Sequence, residues 1–211
     1  PRQRHYSALL ADGRVLLAGG SYSRNSFQYL TSAEIYDPAT STFTETGAMS
    51  GPRIQAAVTT LADGRVLFVG DGPPESWPAF GYAEIYDSST GAFLPTAPTL
   101  EDRHRPVAIT MMDGRVLIAG GRSNTPGTSS TAELYDPVAD QFVPAADMTV
   151  GRWGAAAALL PDGRVLVIGG FTPDSTPSGC EIYAPDANSW TALVDLADED
   201  CSTSTTPVSL P

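Results

Sequence analysis

Leu61-Ala62-Asp63-Gly64-Arg65-Val66-Leu67 decides the fold, because the chain repeats the heart of this stretch. Asp-Gly-Arg-Val-Leu begins at Asp12, Asp63, Asp113 and Asp162, at spacings of 51, 50 and 49 residues. Each copy lies between apolar runs and leads into glycines: Gly19-Gly20, Gly70-Asp71-Gly72, Gly120-Gly121 and Gly169-Gly170. Asp-Gly between apolar runs is a hairpin signal, and it predicts a type I′ turn with both central residues at positive φ.

Working outward, each unit holds four segments. The first is a short apolar run (6–11, 56–62, 107–112, 155–161) and the second is Val-Leu-x-x-Gly (15–19, 66–70, 116–120, 165–169). The second is apolar without alternation, which predicts burial on both faces. The third alternates, as in Ala33-Glu34-Ile35-Tyr36, Ala83-Glu84-Ile85-Tyr86, Ala132-Glu133-Leu134-Tyr135 and Cys180-Glu181-Ile182-Tyr183. Period two sets Ala and Ile on one face and Glu and Tyr on the other. A turn follows, Asp37-Pro38 in unit one and Asp136-Pro137 in unit three; Asp87-Ser88 replaces it in unit two. Ala184-Pro185-Asp186 predicts a shifted turn in unit four. The fourth segment opens on an aromatic: Phe43, Phe93, Phe142 or Trp190.

No segment shows helical periodicity. Four short antiparallel strands at a period near 50 predict an all-β propeller with one four-stranded blade per unit. The blades are assigned to 2–50, 53–100, 103–150 and 152–200 of a single propeller over 1–211, with 201–211 as a tail or the start of a further innermost strand.

The succession of Arg, Asp-Gly-Arg-Val-Leu, Gly-Gly, Glu-x-Tyr-Asp-Pro and an aromatic resembles the kelch repeat, of bacterial type and distantly like the propeller of galactose oxidase. The resemblance covers 2 to about 196. Asp71 for the second glycine, Phe for the usual Trp in three units, and Ala184 for Asp depart from it. It implies a ring, usually of six or seven blades, so four units are read as part of a longer propeller, as a small ring, or as half of a ring completed by self-assembly. The chain opens at Pro1 without an initiator Met, consistent with a removed leader or a larger parent.

All 12 basic residues are Arg, and with 24 acidic residues the formal charge is −12. Nucleic acid and anionic membrane surfaces are poor partners for such a chain. No apolar run approaches the roughly 20 residues of a membrane-spanning helix. Cys180 and Cys201 are the two thiols, read as a disulfide of an oxidising compartment or as two separate buried thiols. The disulfide reading places the protein outside the cell or on its surface.

Function is sought where the period breaks. Both tight turns fall at one end of each blade; the variable loops (21–32, 73–82, 122–131, 171–179) and the links between units fall at the other. Those loops carry Tyr22, Arg24, Tyr29, Trp77, Phe80, Arg122 and Asp174, residue types that anchor partners or seal loops onto blades. Arg4, His104, Arg105 and Trp153 sit in the links without repeating. Arg2, Arg53, Arg103 and Arg152 do repeat, as do Glu34, Glu84, Glu133 and Glu181, which predicts a structural Arg–Glu pairing in place of a ring of free guanidinium groups.

With His5 and His104 as the only histidines, no metal-ligand spacing or nucleophile motif is present, and no cofactor or catalytic residue is assigned. The Asp198-Glu199-Asp200 run reads as solvated loop. The expected function is a non-catalytic binding scaffold for a protein or glycan. The alternative is a fragment of a carbohydrate-active or copper-radical-oxidase-like propeller enzyme, a class that the resemblance brings in.

Overall fold

The computed structural model describes residues 2–22, 29–53, 55–70, 82–122, 127–172 and 179–193. They form sixteen strands in four antiparallel sheets of four. Blade 1 holds β1 (Tyr6–Leu9), β2 (Val15–Ala18), β3 (Ala33–Asp37) and β4 (Thr42–Thr46). Blade 2 holds β5 (Ala57–Thr60), β6 (Val66–Val69), β7 (Ala83–Asp87) and β8 (Ala92–Pro95). Blade 3 holds β9 (Val107–Thr110), β10 (Val116–Ala119), β11 (Ala132–Asp136) and β12 (Gln141–Ala145). Blade 4 holds β13 (Ala156–Leu159), β14 (Val165–Ile168), β15 (Cys180–Ala184) and β16 (Ser189–Leu193). Strand order follows chain order in each sheet, and the innermost strands touch in succession, β1 to β5, β5 to β9 and β9 to β13.

The core lies between blades. Leu16, Ile35 and Met49 of blade 1 pack on Phe68 and Tyr86 of blade 2. Leu67, Val69 and Ile85 of blade 2 pack on Ile118, Tyr135 and Phe142 of blade 3. Leu117, Leu134 and Met148 of blade 3 pack on Val165, Val167 and Tyr183 of blade 4. The repeated aromatics pair across the third and fourth strands, as Tyr135 does with Phe142 at a centroid distance of 4.5 Å and Tyr183 with Trp190 at 5.1 Å. Such pairs add to the area that they bury.

Three expectations need correction. The Asp-Gly turn is not type I′. Leu9 pairs with Val15, which leaves too many residues for a two-residue loop. Leu10 N–H donates to Arg14 O and Gly13 N–H to Leu10 O, so Ala11, Asp12 and Gly13 form a three-residue loop with only the glycine at positive φ (85°). The second segment is buried on both faces only in blades 2 and 3, where β6 and β10 are covered throughout. In β2 and β14 burial alternates, because each end blade has one neighbour among the described residues. The unit-four turn is not shifted. Ala184 pairs with Ser189 as Asp37 pairs with Thr42, since the Tyr183–Trp190 pair holds the same register as Tyr36–Phe43.

Candidate functional site

The arginines fall into three sets, and their pairing locates the site. The first opens the links. Arg53 Nε donates to Glu84 Oε1 at 2.7 Å, Arg103 Nε to Glu133 Oε1 at 2.7 Å, and Arg152 Nη2 to Glu181 Oε1 at 2.5 Å. A second nitrogen of each donates to the carbonyl of Gly70, Gly120 or Gly169, just past the second strand. The preceding blade completes the arrangement. The amides of Ser50, Leu100 and Thr149 donate to Glu84, Glu133 and Glu181 at 3.0, 2.8 and 2.7 Å. These six charged side chains are at most 2% exposed. Burying such pairs is costly unless their remaining donors and acceptors are met, and the link amides and glycine carbonyls supply most of those partners; Arg152 Nε alone of the three Nε groups has none among the described residues. Arg2 and Glu34 repeat the contact at 2.9 Å with 12% and 36% exposure, and among the described residues no link amide reaches Glu34.

The second set lies at the turn end. Arg14, Arg65, Arg115 and Arg164 fold back onto the aspartate two residues earlier, Nε to Oδ2, at 2.7, 2.8, 2.7 and 2.7 Å. The hydrogen bonds from Arg14 and Arg164 hold Asp12 and Asp162 below the usual carboxylate range. For Asp63 burial pushes upward, but the bonds from Arg65 outweigh it and the net direction is down.

Arg4, Arg105 and Arg122 form the third set. All three are exposed, and among the described residues none meets a carboxylate. Arg4 and Arg105 stand two residues beyond Arg2 and Arg103 with φ of 54° each, where the equivalent residue of blade 4 is Gly154 at 67°. Left-handed backbone costs an L-residue about 1 kcal/mol or more. The links also bond to one another: Arg105 N–H donates to Gln55 O at 2.8 Å and Gly154 N–H to Arg105 O at 3.0 Å. Arg4, Tyr6, Gln55, Arg105 and Gly154 line an open cavity of about 520 Å³ where the inner strands of the blades begin.

One step outward, paired bridges extend the inner hairpins: Gln3 with Ser21, His104 with Arg122, and Trp153 with Phe171. Trp153 stacks on Phe171 at 5.0 Å, and both Arg105 (5.1 Å) and Arg122 (5.5 Å) lie over its ring. His104 Nε2 lies 3.7 Å from Asp102 Oδ2.

The structure thus brings His104, Arg105, Trp153 and Arg122 together at the loop end. Tyr22 is exposed and Tyr29 bridges to Ser21, both on blade 1. Arg24, Trp77, Phe80 and Asp174 lie outside the described residues, as does Asp71. Cys180 is buried at the start of β15, and Cys201 is outside the described residues. Phe171 and Gln55 escape the sequence reading. Their signal is positional: Phe171 follows the glycine pair of unit four as Arg122 follows that of unit three.

Two further grooves, of about 420 and 470 Å³, lie between blades at the turn end. Their arginines, Arg164 and Arg115, are already paired with Asp162 and Asp113. Among the described residues no three His, Cys, Asp or Glu side chains gather as a metal site requires. No helix among them is long and apolar enough to cross a membrane.

The family model for the Kelch motif matches residues 103–149, the whole of blade 3 with its opening Arg103. No curated protein matches the chain. The other three blades carry the residues of blade 3 in the same places: link arginine, Asp-Gly turn, and a tyrosine paired with an aromatic. The Kelch motif in one blade and four blades built to one plan fit a kelch-repeat β-propeller.

Proposed function

We propose that the chain is a non-catalytic binding scaffold that presents its loop end to a partner, a protein or a glycan. The fold is one that serves protein interaction in general, and fold alone names no partner. The observation that carries the reading is the contrast among arginines. Those that tie the blades are buried and paired with glutamates, whereas among the described residues Arg4, Arg105 and Arg122 stand at the loop end without a carboxylate. A rigid frame with unmatched donors at one end is suited to binding.

The reading is tested by screening the chain against peptide and glycan arrays and repeating each hit with variants at the two ends. Loss of a hit in Arg122→Ala and Trp153→Ala, with retention in Arg14→Ala and Arg164→Ala, is the expected result. Hits lost only in the turn-end variants overturn the reading. Copper uptake with release of hydrogen peroxide from a sugar or aldehyde would favour the enzyme alternative instead.

Two lesser proposals accompany it. Cys180 and Cys201 form a disulfide in a secreted or cell-surface protein, which peptide mapping without reductant detects as one linked fragment. Blade 1 receives a further blade from a second copy. Among the described residues Glu34 has no link amide there, whereas Glu84, Glu133 and Glu181 each have one. Sedimentation at monomer mass over all concentrations overturns that assembly.

A further inference from the structure

We propose that Arg105 and Arg122, held by Trp153 and joined by Arg4 across the axial cavity, form a binding site for an acidic peptide. The inference rests on the scaffold reading and adds the ligand's chemistry to it.

Four observations converge. The first is electrostatic. In a chain of net charge −12 with twelve arginines, eight pair with a carboxylate among the described residues. Arg24 lies outside those residues, and the remaining three all stand at the loop end. Acid is abundant enough to neutralise them, yet among the described residues none of the three meets a carboxylate. The two acids of the Arg105 link have partners of their own: Glu101 accepts from Ser129 and Thr131, and Asp102 lies beside His104. An anion repelled elsewhere on this surface finds its favourable potential here.

The second is backbone strain. Arg4 and Arg105 occupy left-handed backbone that Gly154 adopts freely at the same place in blade 4. Arginine retained where glycine fits better points to a role for its side chain.

The third is presentation. Stacking on an indole fixes the plane of a guanidinium and leaves its N–H edges outward, the arrangement that grips a carboxylate with two parallel bonds. Two such groups on one ring, 5.1 and 5.5 Å from its centroid, suit neighbouring carboxylates.

The fourth separates peptide from glycan. Trp153 is already covered by Phe171 and the two guanidinium groups, which removes the flat apolar surface on which a sugar ring stacks. The cavity beside it is open, with Gln55, Tyr6 and the Arg4 side chain along its wall. An extended chain with carboxylates on successive side chains fills that space and reaches both arginine positions.

The test is isothermal titration of the chain with hexaglutamate, hexaglutamine and an oligogalacturonate of equal charge, with circular dichroism confirming that each variant is folded. Hexaglutamate is expected to bind and hexaglutamine not. Arg105→Ala and Arg122→Ala each weaken hexaglutamate by about tenfold or more, Arg105→Lys by less, and Arg115→Ala and Arg164→Ala leave it unchanged. No binding of hexaglutamate, or binding indifferent to Arg105 and Arg122, overturns the proposal. Oligogalacturonate binding in place of hexaglutamate overturns the peptide assignment. A partner held by the loop end but indifferent to Arg105 and Arg122 overturns this site and leaves the scaffold reading standing. Loss of all binding in the turn-end variants alone overturns the scaffold reading.

Discussion

The two ends of the blades treat arginine in opposite ways. At the turn end each of Arg14, Arg65, Arg115 and Arg164 is closed onto an aspartate of its own loop. At the loop end the link arginines are sunk among the blades with glutamates, while Arg4, Arg105 and Arg122 meet no carboxylate among the described residues. The difference teaches where to look in a repeat protein. Pairing that recurs with the period belongs to the frame, and charge that escapes the period is available for a partner.

The comparison breaks first on stability. Arg103→Ala strands the Glu133 carboxylate, which is fully buried, and should cost about 3–5 kcal/mol in chemical denaturation. An equal loss from Arg115→Ala, at the exposed turn, would erase the distinction. Within the link series, Arg2→Ala is the sharper control. Glu34 is partly open to water, so the expected cost falls to about 1 kcal/mol. A cost matching that of Arg103→Ala would show that the preceding link contributes nothing.

Arg105→Gly places at that position the residue that blade 4 already has there. Relief of the left-handed backbone and loss of the Trp153 stack oppose each other, so the midpoint should move by no more than about 1 kcal/mol. The affinity for hexaglutamate should drop all the same. A large loss of stability would make Arg105 a structural residue.

Smallest is the effect of pH on the turn end. Asp12 and Asp162 have folded pKa values lowered by hydrogen bonds from Arg14 and Arg164. Their contribution is therefore present above the unfolded value of about 3.9 and is lost as pH falls through the lower folded value. Asp162→Ala should flatten the acid limb of the stability curve below about pH 4, and an unchanged limb would contradict the pairing. At the alkaline side, burial and then the bond to Asp140 raise Tyr135. That contribution holds below about pH 10 and is lost as pH rises beyond it, which Tyr135→Phe should abolish.

The frame is legible in the sequence because each blade needs the same solutions. Asp-Gly-Arg, the tyrosine facing an aromatic, and Arg with Glu recur wherever the same contact recurs. The turn type is not legible, since Asp-Gly serves both a two-residue turn and the three-residue loop seen here. Only the Leu9–Val15 pairing decides between them. Half-burial of β2 and β14 is likewise invisible, because it depends on which blade has a neighbour. The site is only partly legible, for a related reason. Arg105, Arg122, His104 and Trp153 stand out by breaking the period, but nothing in their spacing says that Trp153 of one link lies under Arg105 of another. Phe171 is one more variable residue after a glycine pair until the bridge to Trp153 is seen.

The most direct test of the central claim, that the unpaired arginines are the receptive ones, is an NMR titration of the arginine Nε–H signals with hexaglutamate. The account predicts saturable shifts at Arg105 and Arg122, with Arg14, Arg65, Arg115 and Arg164 unmoved. Uniform shifts across all exposed arginines, or shifts confined to the turn end, would contradict it.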